Sequence, residues 1–198
     1  MKTGKTVKVL LTAATAAGML AGCGSKTDTD TFRFASELDI QGMDSTVVDD
    51  GMSFNAIHAI TDGLTAVNEK GKTAPAIAKS WDVSDDGKTY TFHLRDAKWS
   101  NGDKVTANDF VYSWRKIIKD AGNYAYMLGN GGASVKNADA LMELGANATD
   151  EQMATLGVTA KDDKTLVVEL ENKVPYFTDL MAFPCYFPQN EKFVEKCG

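Results

Sequence analysis

The clearest hydrophobic periodicity in the chain lies within residues 81–95. Tyr90, Phe92 and Leu94 alternate with polar residues, and this period of two predicts a strand with one buried face. Residues 84–88 read Ser-Asp-Asp-Gly-Lys, and the Asp-Gly pair favours a tight turn because both residues tolerate a positive φ. The pattern therefore predicts a hairpin over residues 81–95.

A helical pattern follows this hairpin. Thr106 and Asp109 stand at the spacing of a capping box, with Asp in place of the usual Glu or Gln. Basic residues fall in the last turns of the pattern, where cations suit the helix dipole. The apolar residues repeat at helical spacing and predict one buried stripe of an amphipathic helix, formed by Phe110, Val111, Trp114, Ile117 and Ile118.

Shorter patterns predict the remaining elements. Residues 158–170 form a second hairpin pattern, in which Leu166, Val168 and Leu170 share one face. A strand is expected at Phe32–Ala35, and helices at Phe54–Ile60, 137–144, 150–156, from Pro175 onward and at 189–196. Short strands mixed with helices indicate the α/β class.

The first 31 residues have the composition of a targeting segment. Three lysines precede an uncharged stretch from Val9 to Leu20, which is shorter than the ~20 residues that span a bilayer and suits a signal peptide. Leu20-Ala21-Gly22-Cys23 then resembles a bacterial lipobox, in which Cys23 becomes the lipidated first residue of the mature protein. We predict a lipoprotein signal peptide at 1–22 and a small, polar, flexible tether at 23–31.

Composition and charge narrow the possible functions. Apolar residues make up 43% of the 198 residues and charged residues 24%, as in a globular protein. Three of the 21 basic residues lie within 1–22, and that segment has no acidic residue. Residues 23–198 therefore carry 18 basic and 27 acidic residues and are net acidic. An acidic body is a poor match for a phosphate backbone, so nucleic-acid binding is not expected.

The sequence carries no recognisable catalytic or metal-binding motif. His58 and His93 stand far apart and outside any His-Glu-x-x-His pattern, and Gly129-Asn130-Gly131-Gly132 lacks the Lys-Ser/Thr of a phosphate loop. We expect neither an enzyme nor a cofactor or metal site. Export permits a disulfide between Cys185 and Cys197, but nothing else resembles a disulfide scaffold, so two free thiols are the favoured interpretation.

One region resembles a known family. The runs Ala74–Trp81, Tyr90–Arg95, Lys98–Asp103 and Thr106–Trp114 occur in the order typical of the peptide/nickel-type extracellular solute-binding proteins, the family 5 substrate-binding proteins of ABC importers, and most resemble the oligopeptide-binding branch. Its aromatic residues have the spacing of a core and are expected to build the scaffold: Trp81, Tyr90, Phe92, Trp99, Phe110 and Trp114.

The resemblance implies a two-lobed periplasmic-binding-protein-like fold of class II, the peptide-binding type. Members of the family are longer than this chain, so residues 32–198 are expected to form an incomplete first lobe. The intact protein would close two lobes around an oligopeptide and deliver it to the permease subunits of an importer. It would be held at the cell membrane by lipid on Cys23 and face the extracellular or periplasmic side.

The resemblance also implies ligand contacts in this part of the chain. They are expected at Ser36, Glu37 and Leu38, and from one aromatic residue after the capped helix, either Tyr124 or Tyr126. Packing or solvation alone is the competing interpretation for each residue. The same fold could serve nickel, haem or a signalling peptide, and a surface sensory module without transport is the alternative from another class.

Overall fold

The computed structural model describes residues 35, 36 and 38–197. Ala35 and Ser36 are exposed and belong to a unit that ends at Glu37, whereas Leu38 begins a second compact unit. The helices of this second unit are α1 (Gly51–Ile60), α2 (Ala107–Lys119), α3 (Ala138–Leu144), α4 (Asp150–Met153), α5 (Phe177–Leu180) and α6 (Glu191–Cys197). Its strands are β1 (Thr65–Val67), β2 (Thr73–Pro75), β3 (Ala78–Val83), β4 (Thr89–Leu94), β5 (Val158–Asp162) and β6 (Thr165–Glu169).

The two predicted hairpins are confirmed and lie side by side. They form one antiparallel sheet in the order β3-β4-β6-β5, with Trp81 opposite Phe92 and Phe92 opposite Leu166. The alternation on β4 is as predicted, since Tyr90, Phe92 and Leu94 are buried and the residues between them are partly exposed. β1 and β2 form a separate two-stranded hairpin that the sequence pattern did not indicate.

Helix α2 covers the buried face and has the predicted stripe. All five residues of the stripe are buried, and Phe110, Trp114 and Ile117 are fully inaccessible. The capping box is present, because the carboxylate of Asp109 accepts a hydrogen bond from the backbone N–H of Thr106 at 2.7 Å. The amphipathic pattern thus places α2 across the sheet and builds the main core.

Several boundaries differ from the sequence-based prediction. The helix expected over 150–156 ends at Met153, because the chain must turn at Gly157 to enter β5. The helix expected from Pro175 begins at Phe177, and the last helix begins at Glu191. Trp81 and Trp99, which were expected in the core, are only partly buried and pack against it. Trp81 lies on an edge strand and Trp99 lies in a loop.

The predicted strand at Phe32–Ala35, apart from Ala35, and the lipidation residue Cys23 lie outside the described residues. Cys185 is buried and free and Cys197 is exposed and free, so the interpretation as two thiols is confirmed and the disulfide is not formed. Within the described part of the chain, no helix is both long and apolar enough to cross a bilayer.

Candidate functional site

The two candidate aromatic residues lie just after α2. The helix ends at Lys119, and Ala121 takes a positive φ of 49°, which turns the chain sharply. Gly122 follows with its Cα close to the carbonyl oxygen of Thr46, where any Cβ would clash. The chain then enters a short 3-10 helix at Ala125–Met127, preceded by Tyr124.

Tyr124 and Tyr126 belong to one aromatic cluster, which we define as Phe54, Tyr124, Tyr126 and Phe183. The Tyr124 ring meets Phe54 edge-on at a centroid distance of 5.3 Å and lies tilted against Phe183, also at 5.3 Å. Tyr126 stacks against Tyr124 at 6.0 Å and 28° between planes, and it is 52% exposed. Tyr124 is thus held by packing on several sides, whereas Tyr126 presents much of its surface to solvent.

The other predicted contact segment is only partly described. Ser36 and Leu38 are both exposed, Leu38 to 66%, and Glu37 lies outside the described residues. The structure brings Tyr124 and Tyr126 together, and ligand contact by Ser36, Glu37 and Leu38 stays a prediction.

The segment Leu38–Asp50 is tied to α1 and to the loop after α2. The hydroxyl of Ser53 accepts hydrogen bonds from the backbone N–H groups of Gln41 and Gly42, at 3.0 and 3.2 Å. Asn123 Nδ2 donates to Asp49 Oδ2 at 2.7 Å. This bond lies one residue before Tyr124, so the segment Leu38–Asp50 runs beside the aromatic cluster.

A second set of polar contacts holds the same segment, and we call it the polar junction: Asp44, Thr46, Lys116 and Gln189. Lys116 Nζ donates to Asp44 Oδ2 at 2.9 Å and to Thr46 Oγ1 at 2.8 Å. Gln189 Nε2 donates to Asp44 Oδ1 at 2.6 Å. The junction therefore joins the segment Leu38–Asp50, helix α2 and the chain just before α6.

The electrostatics of the junction favour the charged forms of both partners. Burial opposes ionisation of Asp44, but hydrogen bonds from Thr46, Lys116 and Gln189 outweigh it and lower the pKa of the carboxyl. Burial likewise opposes the charge on Lys116, yet the carboxylates of Asp120 and Asp44 raise the pKa of its ammonium group. The pair is thus ionised at neutral pH.

Sequence reasoning missed the polar junction. The sequence pattern places Lys116 among the basic residues of the last turns of α2, and there it also forms an i,i+4 pair with Asp120 at 2.9 Å. Lys116 pairs with Asp44, which lies 72 positions earlier in the chain. Asp44 in turn accepts a hydrogen bond from Gln189, which lies 145 positions after it. No local pattern signals such distant pairs.

Exposed apolar residues concentrate around this region. Ile60 is 72% exposed because α1 ends there, beyond the small cluster that buries Phe54 and Ile57. A separate group of exposed apolar residues lies in the segment before α1: Leu38, Ile40, Met43 and Val47.

Each of the two histidines contacts another side chain of the fold. His93 Nε2 lies 2.7 Å from Asp82 Oδ2 on the outer face of the β3-β4 hairpin, and His58 meets Phe187 edge-on at 5.2 Å. Partial burial lowers the pKa of His58. Among the described residues, no group of three or more His, Cys, Asp or Glu side chains is arranged to hold a metal ion.

Comparison with known proteins defines the class of protein to which this fold and surface belong. Residues 72–196 match the model of the bacterial extracellular solute-binding proteins, family 5 Middle. This match covers more than half of the chain, and the chain belongs to that family, whose members bind solutes.

The most informative relatives are peptide-binding proteins. The chain is 39% identical to the dipeptide-binding protein of Lactococcus lactis subsp. cremoris, over 100% of this chain and 35% of that protein. It is similar to the substrate-binding domain of an oligopeptide ABC transporter from Bacillus anthracis, with a TM-score of 0.76 and 41% identity over 83% of this chain and 31% of that one. A third match is Haemophilus influenzae OppA in complex with the peptide RPPGFSPFR, with a TM-score of 0.73 and 39% identity over 80% and 30% of the two chains.

These matches confirm the predicted family and the mixed α/β fold. The chain spans about a third of the length of these relatives.

Proposed function

We propose that this chain is part of an exported lipoprotein that captures oligopeptides and delivers them to the permease of an ABC importer. The observation that carries the proposal is the 39% identity to a dipeptide-binding protein, which extends over the whole chain. The peptide-bound Haemophilus influenzae relative supports the same ligand class. The described residues would then supply part of one lobe, and the remaining length typical of the family would supply the opposing surface.

The aromatic cluster suits a peptide ligand of variable sequence. A half-exposed tyrosine ring backed by a second ring offers a flat, apolar surface with a polar tip. Such a surface can pack against many different side chains without selecting a particular one. Specificity for the peptide as a class then comes from pairing of its main chain with protein backbone, as in strand addition.

Calorimetry tests the ligand class. The chain, extended to the length of its relatives, is titrated with short peptides of varied sequence and free termini, with the corresponding free amino acids as the control. We expect saturable binding of the peptides and none of the amino acids. Binding of Ni²⁺ or haem without any peptide binding would contradict the proposal and favour another solute for the same fold.

We further propose that residues 1–22 are a lipoprotein signal peptide, 23–31 a tether and 32–198 the lobe, with lipid on Cys23 holding the protein at the outer side of the cell membrane. The order of lysines, apolar stretch, Ala-Gly pair and Cys supports this division. One acyl chain binds a bilayer only reversibly, so stable anchoring requires at least two.

Fractionation of cells that express the protein tests the anchor. Cys23→Ala should move the protein from the membrane fraction to the soluble fraction, whereas Cys197→Ala, the exposed cysteine of α6, should leave it at the membrane. Mass spectrometry that finds an unmodified mature N-terminus at any residue other than Cys23 would contradict the anchor.

A further inference from the structure

The segment Leu38–Asp50 is held mainly by polar contacts. Of its large apolar side chains, Leu38, Ile40, Met43 and Val47 are each about half exposed or more, and only Val48 is buried. A segment that buries so little apolar surface gains little from the hydrophobic effect. Its position therefore depends on the hydrogen bonds and ion pairs that tie it down.

Asp44 makes the most far-reaching of these contacts. One carboxylate oxygen accepts hydrogen bonds from the N–H and hydroxyl of Thr46, at 2.9 and 2.7 Å, and from Gln189 Nε2 at 2.6 Å. The other oxygen pairs with Lys116 Nζ at 2.9 Å. A single side chain thus connects three parts of the chain that are distant in sequence.

Lys116 is suited to this position because its ammonium group has three donors and three acceptors surround it. The acceptors are Asp44 Oδ2, Asp120 Oδ2 and Thr46 Oγ1, at 2.9, 2.9 and 2.8 Å. The Lys116 side chain is only 15% exposed. Charge-assisted bonds of this kind hold geometry more firmly than neutral ones, and partial burial limits their screening by salt.

The junction also governs the loop that carries the aromatic residues. Thr46, bound through both Asp44 and Lys116, places its carbonyl oxygen directly against Gly122. Three residues further on, Asp49 receives the hydrogen bond of Asn123. A shift of Thr46 would therefore be transmitted to Gly122 and Asn123, and from there to Tyr124.

We propose that Asp44 and Lys116 are positioning residues that fix the segment Leu38–Asp50 against the loop Gly122–Tyr126. The inference rests on the proposed function for its meaning, because Leu38 at the start of this segment and Tyr124 or Tyr126 in the loop are the residues expected to contact a peptide. Neither residue needs to touch the ligand. The junction sets the distance between this segment and the loop before any ligand binds, which lowers the ordering cost of binding.

Hydrogen exchange of the full chain without ligand tests the positioning role. Lys116→Met removes the ammonium group and keeps the aliphatic stem. The matched control is Lys136→Met, which removes an ion pair of the same 2.9 Å length between Lys136 and Glu169, each half exposed. Exchange is followed by mass spectrometry, and the ring resonances of Tyr124 and Tyr126 by NMR.

We expect Lys116→Met to speed exchange about tenfold at the amides of Val47 and Val48, which bond to the carbonyl of Asp44, and at Gly122 and Ala125. Amides of β4 and β6 should exchange as in the unmodified chain, and the resonances of both tyrosines should shift. Lys136→Met should cause none of these changes.

Equal exchange in the two Lys→Met variants, or a uniform increase that includes the sheet, would overturn the inference. If Lys116→Met does not fold, Asp44→Asn provides the same test, because an Asn oxygen still accepts from Thr46 and Gln189 while the ion pair is lost. The measurement needs no peptide. Failure of peptide binding alone would therefore count against the proposed function, whereas unchanged local exchange would count against the junction.

Discussion

The indole nitrogen of Trp114 donates a 3.0 Å hydrogen bond to the backbone carbonyl of Tyr186, 72 positions further along the chain. Both side chains are fully buried, and their rings meet at 5.6 Å, 68° between planes. The contact holds the short 3-10 helix at Pro184–Tyr186 against helix α2. Phe183 lies in the same stretch, so this anchor also supports one wall of the aromatic cluster.

We predict that Trp114→Phe lowers the free energy of unfolding by about 2–4 kcal/mol. The substitution leaves the carbonyl of Tyr186 without its buried donor, which costs about 1–3 kcal/mol, and adds a cavity where the larger ring was. Urea denaturation followed by circular dichroism measures the loss. Trp81→Phe, at a partly buried position, should cost less than 1.5 kcal/mol, and equal losses would contradict the role of the hydrogen bond.

The buried face of the sheet leads to a second prediction. Phe92 is fully buried and lies 6.2 Å from Phe177 and 6.1 Å from Trp81 between ring centroids. Phe92→Ala should therefore destabilise the fold by roughly 3–5 kcal/mol. Its neighbour Thr91 faces the other way and is partly exposed, so Thr91→Ala should cost less than about 1 kcal/mol. If Phe92→Ala lowers the free energy of unfolding by only about 0.3 kcal/mol, the assignment of the buried face of β4 is wrong.

Most of the fold could be predicted from the sequence, whereas most of the candidate site could not. Local rules sufficed where one face is buried: the period of two on β4 and the stripe of α2 follow directly from burial. Helix ends such as Met153 depend on where the chain must turn next. The polar junction depends on pairs such as Asp44 and Gln189, which only the folded topology brings together.

Gly122 provides a third prediction, about the close approach of two backbones. A Cβ at this position would clash with the carbonyl oxygen of Thr46 and crowd the side chain of Ile117. Gly122→Ala should therefore displace the segment Leu38–Asp50 and lower the free energy of unfolding by about 1–3 kcal/mol. Gly51 begins α1 and has open space around its Cα, so Gly51→Ala should leave stability unchanged or raise it slightly. A tolerated Gly122→Ala would show that the two segments are not in close contact.

The polar junction leads to a fourth prediction, on pH. Because the pKa of Asp44 is lowered in the fold, its contribution is complete above its unfolded value of about 3.8 and is lost as the pH falls through the folded value. Lys116 has a raised pKa and loses its contribution only when the pH rises above about 10.5. Asp44 is more than a third exposed, so the net effect at neutral pH is about 1 kcal/mol.

Urea unfolding between pH 2.5 and 7 measures this contribution as the difference between the unmodified chain and Lys116→Met. We expect a constant difference near neutral pH that shrinks below pH 4. Near neutral pH, the exposed pair of Lys136 and Glu169 should contribute less than the junction, as Lys136→Met would report. A junction difference that persists unchanged at the acid end would exclude Asp44 as the titrating partner.

The fifth prediction separates packing from ligand contact at the two tyrosines. Tyr124 is held between Phe54, Phe183 and Tyr126, so Tyr124→Ala should lower the free energy of unfolding by about 2 kcal/mol. Tyr126 is 52% exposed and leans on Tyr124 with one face, so Tyr126→Ala should cost about 0.5 kcal/mol, within the range of surface substitutions. Both variants are then titrated with peptides in the protein extended to the length of its relatives.

Loss of a stacking or packing contact to the ligand should weaken binding by about 1–3 kcal/mol, or roughly five- to 150-fold, for many peptide sequences alike. If only Tyr126→Ala weakens binding, Tyr126 is the contact and Tyr124 its support. If Tyr124→Phe, which keeps the ring and removes the hydroxyl, weakens binding while stability is unchanged, the hydroxyl of Tyr124 contacts the ligand directly. Unchanged binding in all three variants would assign both tyrosines to packing alone, and Ser36, Glu37 and Leu38 would be the remaining predicted ligand contacts of this lobe.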